Sequence, residues 1–168
     1  MYNQRQLEKY FKKKSFHYLA CPHQNPKKSY YKNFIVIPCY DEYDYIFKTL
    51  ESIDNQNKYI LKNTLVSIVV NNSKDAEQSI LSNNQKTYER LLASTYNFEL
   101  VVIDAFSKNK ALELKNTGAG MARKISVDSV LSYLEVNSLI CFIDADTVLS
   151  EKYLDCIKLS YKKNNWEA

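Results

Sequence analysis

The residues best suited to chemistry are Asp144 and Asp146, two carboxylates one residue apart that follow the apolar run Leu139-Ile140-Cys141-Phe142-Ile143. In an extended chain alternate residues share a side, so both carboxylates would point the same way. Two like charges that close repel unless a cation or a proton intervenes. Hard oxygen ligands of this kind suit Mg²⁺ or Mn²⁺, ions that keep several waters and bridge to substrate phosphates. The competing reading is a strand-end turn with Asp146 capping the next helix. Three further polar clusters follow apolar runs: Pro38-Cys39-Tyr40-Asp41-Glu42, Asn71-Asn72-Ser73, and Asp104. Gly118-Ala119-Gly120 precedes a helical stretch, whose N-terminus is a natural anion site, and the fork of Arg123 one turn later can reach a phosphate oxygen. The plainer alternative is a glycine hinge with Arg123 as a surface charge. Neither G-x-x-x-x-G-K-[ST] nor G-x-G-x-x-G occurs.

These clusters act together only if the fold gathers them. Phe34-Ile35-Val36-Ile37, stopped by Pro38, reads as a strand buried on both faces. Leu65-Val66-Ser67-Ile68-Val69-Val70, Phe98-Glu99-Leu100-Val101-Val102-Ile103 and residues 139–143 read likewise. Helices are expected between them. Residues 41–56 carry Tyr45, Ile46, Leu50 and Ile53 at helical spacing. Residues 75–93 begin with Asp75 and Glu77, placed to complement the helix dipole. Residues 119–133 and 151–162 follow, the last with Ser150 as N-cap. This alternation predicts an α/β fold: a Rossmann-type, mostly parallel sheet with helices on both faces. Ligands of such sheets bind outside the carboxyl ends of the strands, where all the polar clusters would converge. Residues 1–32 are expected to form a lead-in. It holds an amphipathic helix over 3–14 (Leu7, Tyr10 and Phe11 on one side) and an irregular stretch with Pro22 and Pro26. Residues 33–168 would be one α/β domain.

Composition narrows the function classes. At 168 residues, 45% apolar and 25% charged, the chain suits one globular domain. The net charge of +4 sits mostly in Lys12-Lys13-Lys14 and Lys27-Lys28, which read as solvated faces and not as a nucleic-acid surface. A mild positive balance also suits an anionic small ligand. Cys21, Cys39, Cys141 and Cys156 form no C-x-x-C pair, which points to a reducing, cytoplasmic compartment. His17, Cys21 and His23 supply only three potential zinc ligands, too few for a closed structural site. No apolar run reaches the length of a membrane span, and the polar N-terminus does not read as a signal peptide.

Four of these stretches, in order, resemble family 2 glycosyltransferases. Ile35-Val36-Ile37-Pro38-Cys39-Tyr40-Asp41-Glu42 is similar to the opening "IPxYxE" strand. Ile68-Val69-Val70-Asn71-Asn72-Ser73 is similar to the "VDDGS" strand end, with an Asn pair replacing the acidic pair. Gly118-Ala119-Gly120-Met121-Ala122-Arg123-Lys124 resembles "G-x-x-x-A-R-N", and Phe142-Ile143-Asp144-Ala145-Asp146-Thr147 resembles the "FLDADD" metal motif. The resemblance covers roughly residues 34–150. It implies a GT-A fold, a nucleotide-diphosphate-sugar donor, a divalent cation (Mn²⁺ or Mg²⁺) and, with inversion at the anomeric carbon, transfer to an unknown acceptor hydroxyl. By that resemblance Pro38, Cys39, Tyr40 and Glu42 line the nucleoside pocket, with Ala145 beside it. Asn71 and Asn72 sit at the base edge, and Arg123 approaches the phosphates or the sugar. Asp144 faces the ribose or a metal-bound water, and Asp146 binds the metal. Because an amide both donates and accepts, the Asn pair shifts the expected base preference away from the usual uracil.

The family places its acceptor site and catalytic base in a following half, and residues 147–168 offer no base: Glu151, Asp155 and Glu167 fall in or after a surface helix. The expectation is therefore a truncated donor-binding half, its base beyond Ala168, with an uncovered apolar sheet that favours self-association. Three rivals remain. A sugar-phosphate nucleotidyltransferase would carry glycine and a basic residue after the first strand, where this chain has Pro38-Cys39-Tyr40-Asp41-Glu42. A non-catalytic nucleotide-binding module and a receiver-like domain, with Asp104 or Asp144 as an isolated site, are the others.

Overall fold

The structure, a computed structural model, describes residues 4–15 and 25–164. His17, Cys21 and His23 lie outside the described residues, as do the side chains of Leu7 and Phe11. A four-stranded parallel sheet in the order β3-β2-β1-β4 forms the centre. Its strands are β1 (Tyr31–Cys39), β2 (Thr64–Asn71), β3 (Glu99–Ala105) and β4 (Leu134–Phe142). The helices are α1 (Gln4–Lys13), α2 (Tyr43–Asp54), α3 (Lys58–Leu61), α4 (Gln78–Ala93), α5 (Ala119–Val130) and α6 (Tyr153–Asn164).

The strand order explains the layers. From β1 through β2 to β3 the sheet grows one way; β4 then returns to the opposite side of β1. Right-handed crossovers place their helices on one face for the first direction and on the other face after the reversal. Accordingly Ile35, Ile37, Val66, Ile68 and Val70 pack with Ile46, Leu50 and Ile53 of α2 and Leu91 of α4. Phe34, Leu65, Val69, Val101 and Ile103 pack with Ala122, Ile125 and Val130 of α5 on the opposite face. All eight residues of β2 are buried, which accounts for its unbroken apolar pattern.

Several boundaries differ from expectation for local reasons. Pro38 does not stop β1: the strand continues through Cys39 against β2, with Pro38 opposite Val69. The last rung to β4 is Ile143 N to the Val36 carbonyl at 3.1 Å. By strand alternation the missing N–H of Pro38 faces the β4 side, beyond that rung, so no ladder bond is lost. Tyr45 is 53% exposed and lies off the buried face, which Ile46, Thr49, Leu50, Ser52 and Ile53 form instead. Helix α4 begins at Gln78, so Asp75 precedes it, and Glu77 occupies the capping position without a capping bond. Helix α6 begins at Tyr153 and not at Glu151, and Ser150 is no cap: its carbonyl receives Tyr153 N and Gln56 Nε2. Helix α3 was not expected; the Asn57 side chain caps it by accepting from Tyr59 N at 3.0 Å. Strand β4 starts early, at Leu134, and reaches its main register through an irregularity at Asn137, whose φ of 72° is one an Asn tolerates.

Helix α1 docks on α5 through polar groups. The Tyr10 hydroxyl donates to Asp128 Oδ1 at 2.7 Å, and Lys124 Nζ donates to the Tyr10 oxygen at 3.0 Å and to the Lys14 carbonyl at 2.9 Å.

The two glycines make opposite demands. Gly118 leads into α5 at φ 124°, a region closed to L side chains, although a Cβ there would touch nothing within 4 Å. Gly120 lies inside the helix with equally open space and an ordinary backbone. Gly118→Ala should therefore lose about 1–3 kcal/mol through backbone strain. Gly120→Ala should gain about 0.5–1 kcal/mol through helix propensity. Urea unfolding of the two variants separates these effects, and equal losses would contradict both readings.

Candidate functional site

The reversal between β1 and β4 opens the sheet at its carboxyl edge, the position where doubly wound folds bind ligands. The chain leaving β4 does not stay extended. It turns at Ala145-Asp146, with Thr147 N donating to the Asp144 carbonyl at 3.1 Å. The burial alternation nevertheless survives: Ile143 and Ala145 are buried, and Asp144 and Asp146 are exposed. Both carboxylates thus reach the same open rim by a turn.

This turn and the segment after it are held from α2 and the residues just past its end. Thr49 Oγ1 donates to the Ala145 carbonyl at 2.6 Å, and Ser52 Oγ accepts from Leu149 N at 3.0 Å. The Gln56 amide donates to the Ser150 carbonyl at 2.8 Å and accepts from Leu154 N at 3.2 Å. Thr49, Ser52 and Gln56 are all buried. Thr49 and Ser52 lie on α2 beside Ile46, Leu50 and Ile53, Gln56 lies two residues past its end, and together they satisfy the Ala145 carbonyl and the Leu149 and Leu154 N–H groups, which would otherwise be orphaned in the interior.

Asp41, Glu42, Asp144 and Asp146 share the rim. Partial burial raises the Glu42 carboxyl above the ordinary glutamate range, and the charges of Asp146, Asp41 and Asp144 raise it further. Negative charge is therefore concentrated here. No group of three or more His, Cys, Asp or Glu among the described residues is arranged to hold a metal by itself. The two observations are compatible, since Mg²⁺-type sites use one or two carboxylates and take their remaining ligands from water and phosphate. Arg123 Nη2 donates to Asp144 Oδ1 across the gap between α5 and the end of β4. Among the described residues no cation pairs with Asp146.

Tyr40 is 47% exposed at the rim. Pro38 is half-buried, and Cys39 is fully buried, its thiol pushed up to about 12 by desolvation and by the charge of Glu42. Cys39 can present only its backbone to a ligand. Asp41 adopts φ 59°, and its conformation is held from α4: its N–H donates to Asn84 Oδ1 at 3.0 Å and its Oδ1 accepts from Asn83 Nδ2 at 2.6 Å.

Asn84 links this loop to the end of β2. Its Nδ2 donates to the Asn71 carbonyl at 3.2 Å and to Asn72 Oδ1 at 2.9 Å. Asn72 is fully buried, and its own Nδ2 donates to the carbonyls of Ser73 and Phe106. The Asn72 amide is thus consumed by the scaffold, and a ligand would have to break that network to use it. Asn71 differs. It is 2% exposed, and its Oδ1 has no hydrogen-bond partner among the described residues; Arg123 Nε shares that condition. Buried unpaired polar atoms are rare enough to require a reason, and a missing ligand is one.

Asp104, at the end of β3, is committed to its own loop. Burial would raise its carboxyl, but the Ser107 N–H and hydroxyl, the Phe106 N–H and the Lys110 ammonium outweigh burial and hold it below the usual aspartate range. It is a loop staple and not the isolated acidic site of a receiver-like domain.

Sequence reasoning missed Thr49, Ser52, Gln56 and Asn84. The first three carried a signal: they recur at helical spacing beside the apolar positions of residues 41–56, where polar residues must find partners. A lone Asn in an amphipathic helix carries none.

No protein-family pattern and no curated protein matches the sequence. Solved structures do match. The crystal structure of S. aureus TarS 1-349 superposes over 80% of this chain and 33% of that one, at 18% identity and a TM-score of 0.50. The same protein in complex with UDP-GlcNAc and with UDP matches equally well, at 18% identity and a TM-score of 0.50. The fold is GT-A-like. This chain spans about a third of the length of those structures.

Two pH dependences follow. The depressed Asp104 carboxyl stabilises the fold above its unfolded pKa of about 3.9 and loses that contribution as pH falls through the folded value. Asp104→Asn should lose about 1–3 kcal/mol at pH 7, a deficit that narrows below about pH 4. A deficit constant from pH 7 to pH 3 would show that the charge is not what the loop uses. Glu42 has the opposite sign. Its raised carboxyl costs stability once ionised, and the cost is absent below the unfolded value. Glu42→Gln should therefore raise the urea midpoint at neutral pH in a chelator, and lose that gain in acid. A lower midpoint at neutral pH would overturn the repulsion argument.

Proposed function

We propose that this chain binds a nucleotide-diphosphate-sugar at the carboxyl edge between β1 and β4, as the donor-binding part of a family 2-like glycosyltransferase that passes the sugar to an acceptor hydroxyl with inversion. The observation that carries the reading is the convergence of the acidic rim and Arg123 on the point where the strand order reverses. The likeness in fold to TarS, crystallised with UDP-GlcNAc and with UDP, supports the same ligand class.

The donor set fits Mn²⁺ or Mg²⁺: Asp146, without a cation partner among the described residues, and Asp144 would hold it, in a rim whose like charges already raise Glu42. When bound, the ion would neutralise charge on the nucleoside diphosphate as it leaves. Arg123 would exchange Asp144 for a diphosphate oxygen, keeping a bidentate-capable cation against the leaving group. Because the Asn72 amide is engaged, recognition of the base would fall to Asn71, whose buried oxygen, without a partner among the described residues, suits a base N–H donor. Tyr40, Pro38 and the backbone of Cys39 would wall the nucleoside, with Glu42 and Ala145 at its edge. No described residue is assigned as the base for the acceptor hydroxyl.

Thermal unfolding with UDP, GDP, CDP and ADP, each with and without Mn²⁺, tests the reading. One nucleotide should raise the midpoint by about 5–10 °C at 100 times its dissociation constant. The rise should require the metal and vanish in Asp146→Ala. No rise with any nucleotide, or a rise indifferent to both metal and Asp146, would sink it.

A further inference from the structure

The opposite edge of the sheet holds a cavity of about 580 Å³ that the donor reading does not use. It lies at the amino-terminal ends of β1, β2 and β3, between the segment entering β1, the end of α3 and the turn from α4 into β3. Strand β1 has nine residues, so by the rise of a strand this cavity is about 30 Å from the acidic rim.

Its lining combines three kinds of group. Lys27, Lys28 and Lys62 bring positive charge, opposed among the described lining residues by Glu99 alone. The Lys28 ammonium is anchored: it donates to the Lys62 carbonyl and to Asn63 Oδ1 and covers the Tyr31 ring, fixing the lead-in to the sheet. Lys27 is loosely held, 84% exposed with Glu99 at 3.8 Å. The Lys62 ammonium lies over the exposed Tyr59 ring, 6.0 Å from its centroid. Tyr96 supplies a half-buried aromatic face, kept flat by stacking on buried Phe98 at 4.8 Å and 5°. The turn beneath it is rigid, because Asp54 accepts from both the backbone N–H and the side-chain amide of Asn97. Finally, the backbone N–H groups of Thr95 and Tyr96 make no hydrogen bond among the described residues.

A concave surface lined by like charges focuses its field on an anion of opposite sign. Unused N–H donors suit phosphate oxygens, and an aromatic face held flat suits a planar ring. The geometry points to a second ligand site at this edge, for a small phosphate-bearing molecule that carries a flat ring. Lys27, Lys62 and the Thr95 and Tyr96 amides hold the phosphate, and Tyr96 stacks the ring.

Amide correlation spectra of the ¹⁵N-labelled chain, titrated with adenosine monophosphate in EDTA, test this site with the metal-dependent one disabled. Saturable shifts are expected in residues 25–28, 61–62 and 94–100, weakening as ionic strength rises. Lys27→Gln with Lys62→Gln should weaken binding at least fivefold while the remaining spectrum stays unchanged, and Tyr96→Ala should do the same. Adenosine without phosphate should bind at least tenfold more weakly, and Asp146→Ala should bind like the parent. Absence of saturable shifts, shifts centred on residues 39–42 and 144–147, or binding indifferent to the lysine pair would each overturn the proposal. None of these results depends on the donor site, whose own failure is read from the Mn²⁺-dependent midpoint.

Discussion

The acidic turn after β4 carries charges that repel one another, so its shape must come from something neutral. That something is a set of polar side chains on α2 and just past its end. Thr49 and Ser52 of α2, and Gln56 two residues past its end, hydrogen-bond the backbone at Ala145, Leu149, Ser150 and Leu154. Because the bonds to Ala145, Leu149 and Leu154 are made away from water, leaving one of them unmade costs the desolvation of a buried polar group. The same helix packs Ile46, Leu50 and Ile53 on the sheet. One element therefore sets both the core and the reach of Asp144 and Asp146.

A second scaffold of neutral amides works from the other side. Asn84 joins the Asp41 N–H, the Asn71 carbonyl and the Asn72 side chain. It ties the loop after β1 to the end of β2 and holds Asp41 at a positive φ. The charged residues of the rim then ride on backbone already fixed. The raised Glu42 carboxyl and the Arg123–Asp144 pair are consequences of that placement. Burial and the like charges of Asp146, Asp41 and Asp144 make ionised Glu42 unfavourable at this rim.

Periodicity in the chain was enough for the α/β class, the four strands and the placement of the polar clusters at the carboxyl edge, because buried parallel strands must be apolar on both faces and the polar residues that follow them fall at their ends. Asp144 and Asp146 ended up on one open side as the alternation implied, yet through a turn and not an extended strand. Tyr45 shows where pattern reading slipped: one position separates it from Ile46, and a helical stripe about 100° wide is decided at that resolution. Pro38 inside β1 shows another slip, since whether its missing N–H matters depends on where the neighbouring strand departs.

The amino-acid sequence by itself determined the order of elements, the burial of the strands and the identity of the charged groups at their ends, because these follow from local patterns of apolar and polar residues. Only the tertiary structure decided that β4 returns beside β1, that the Asn72 amide is consumed while the Asn71 oxygen has no partner among the described residues, and that Thr49, Ser52 and Gln56 hold the segment carrying the acidic turn. Those outcomes depend on partners 12 to about 100 residues apart, and no local pattern encodes which distant backbone group a buried polar side chain will meet.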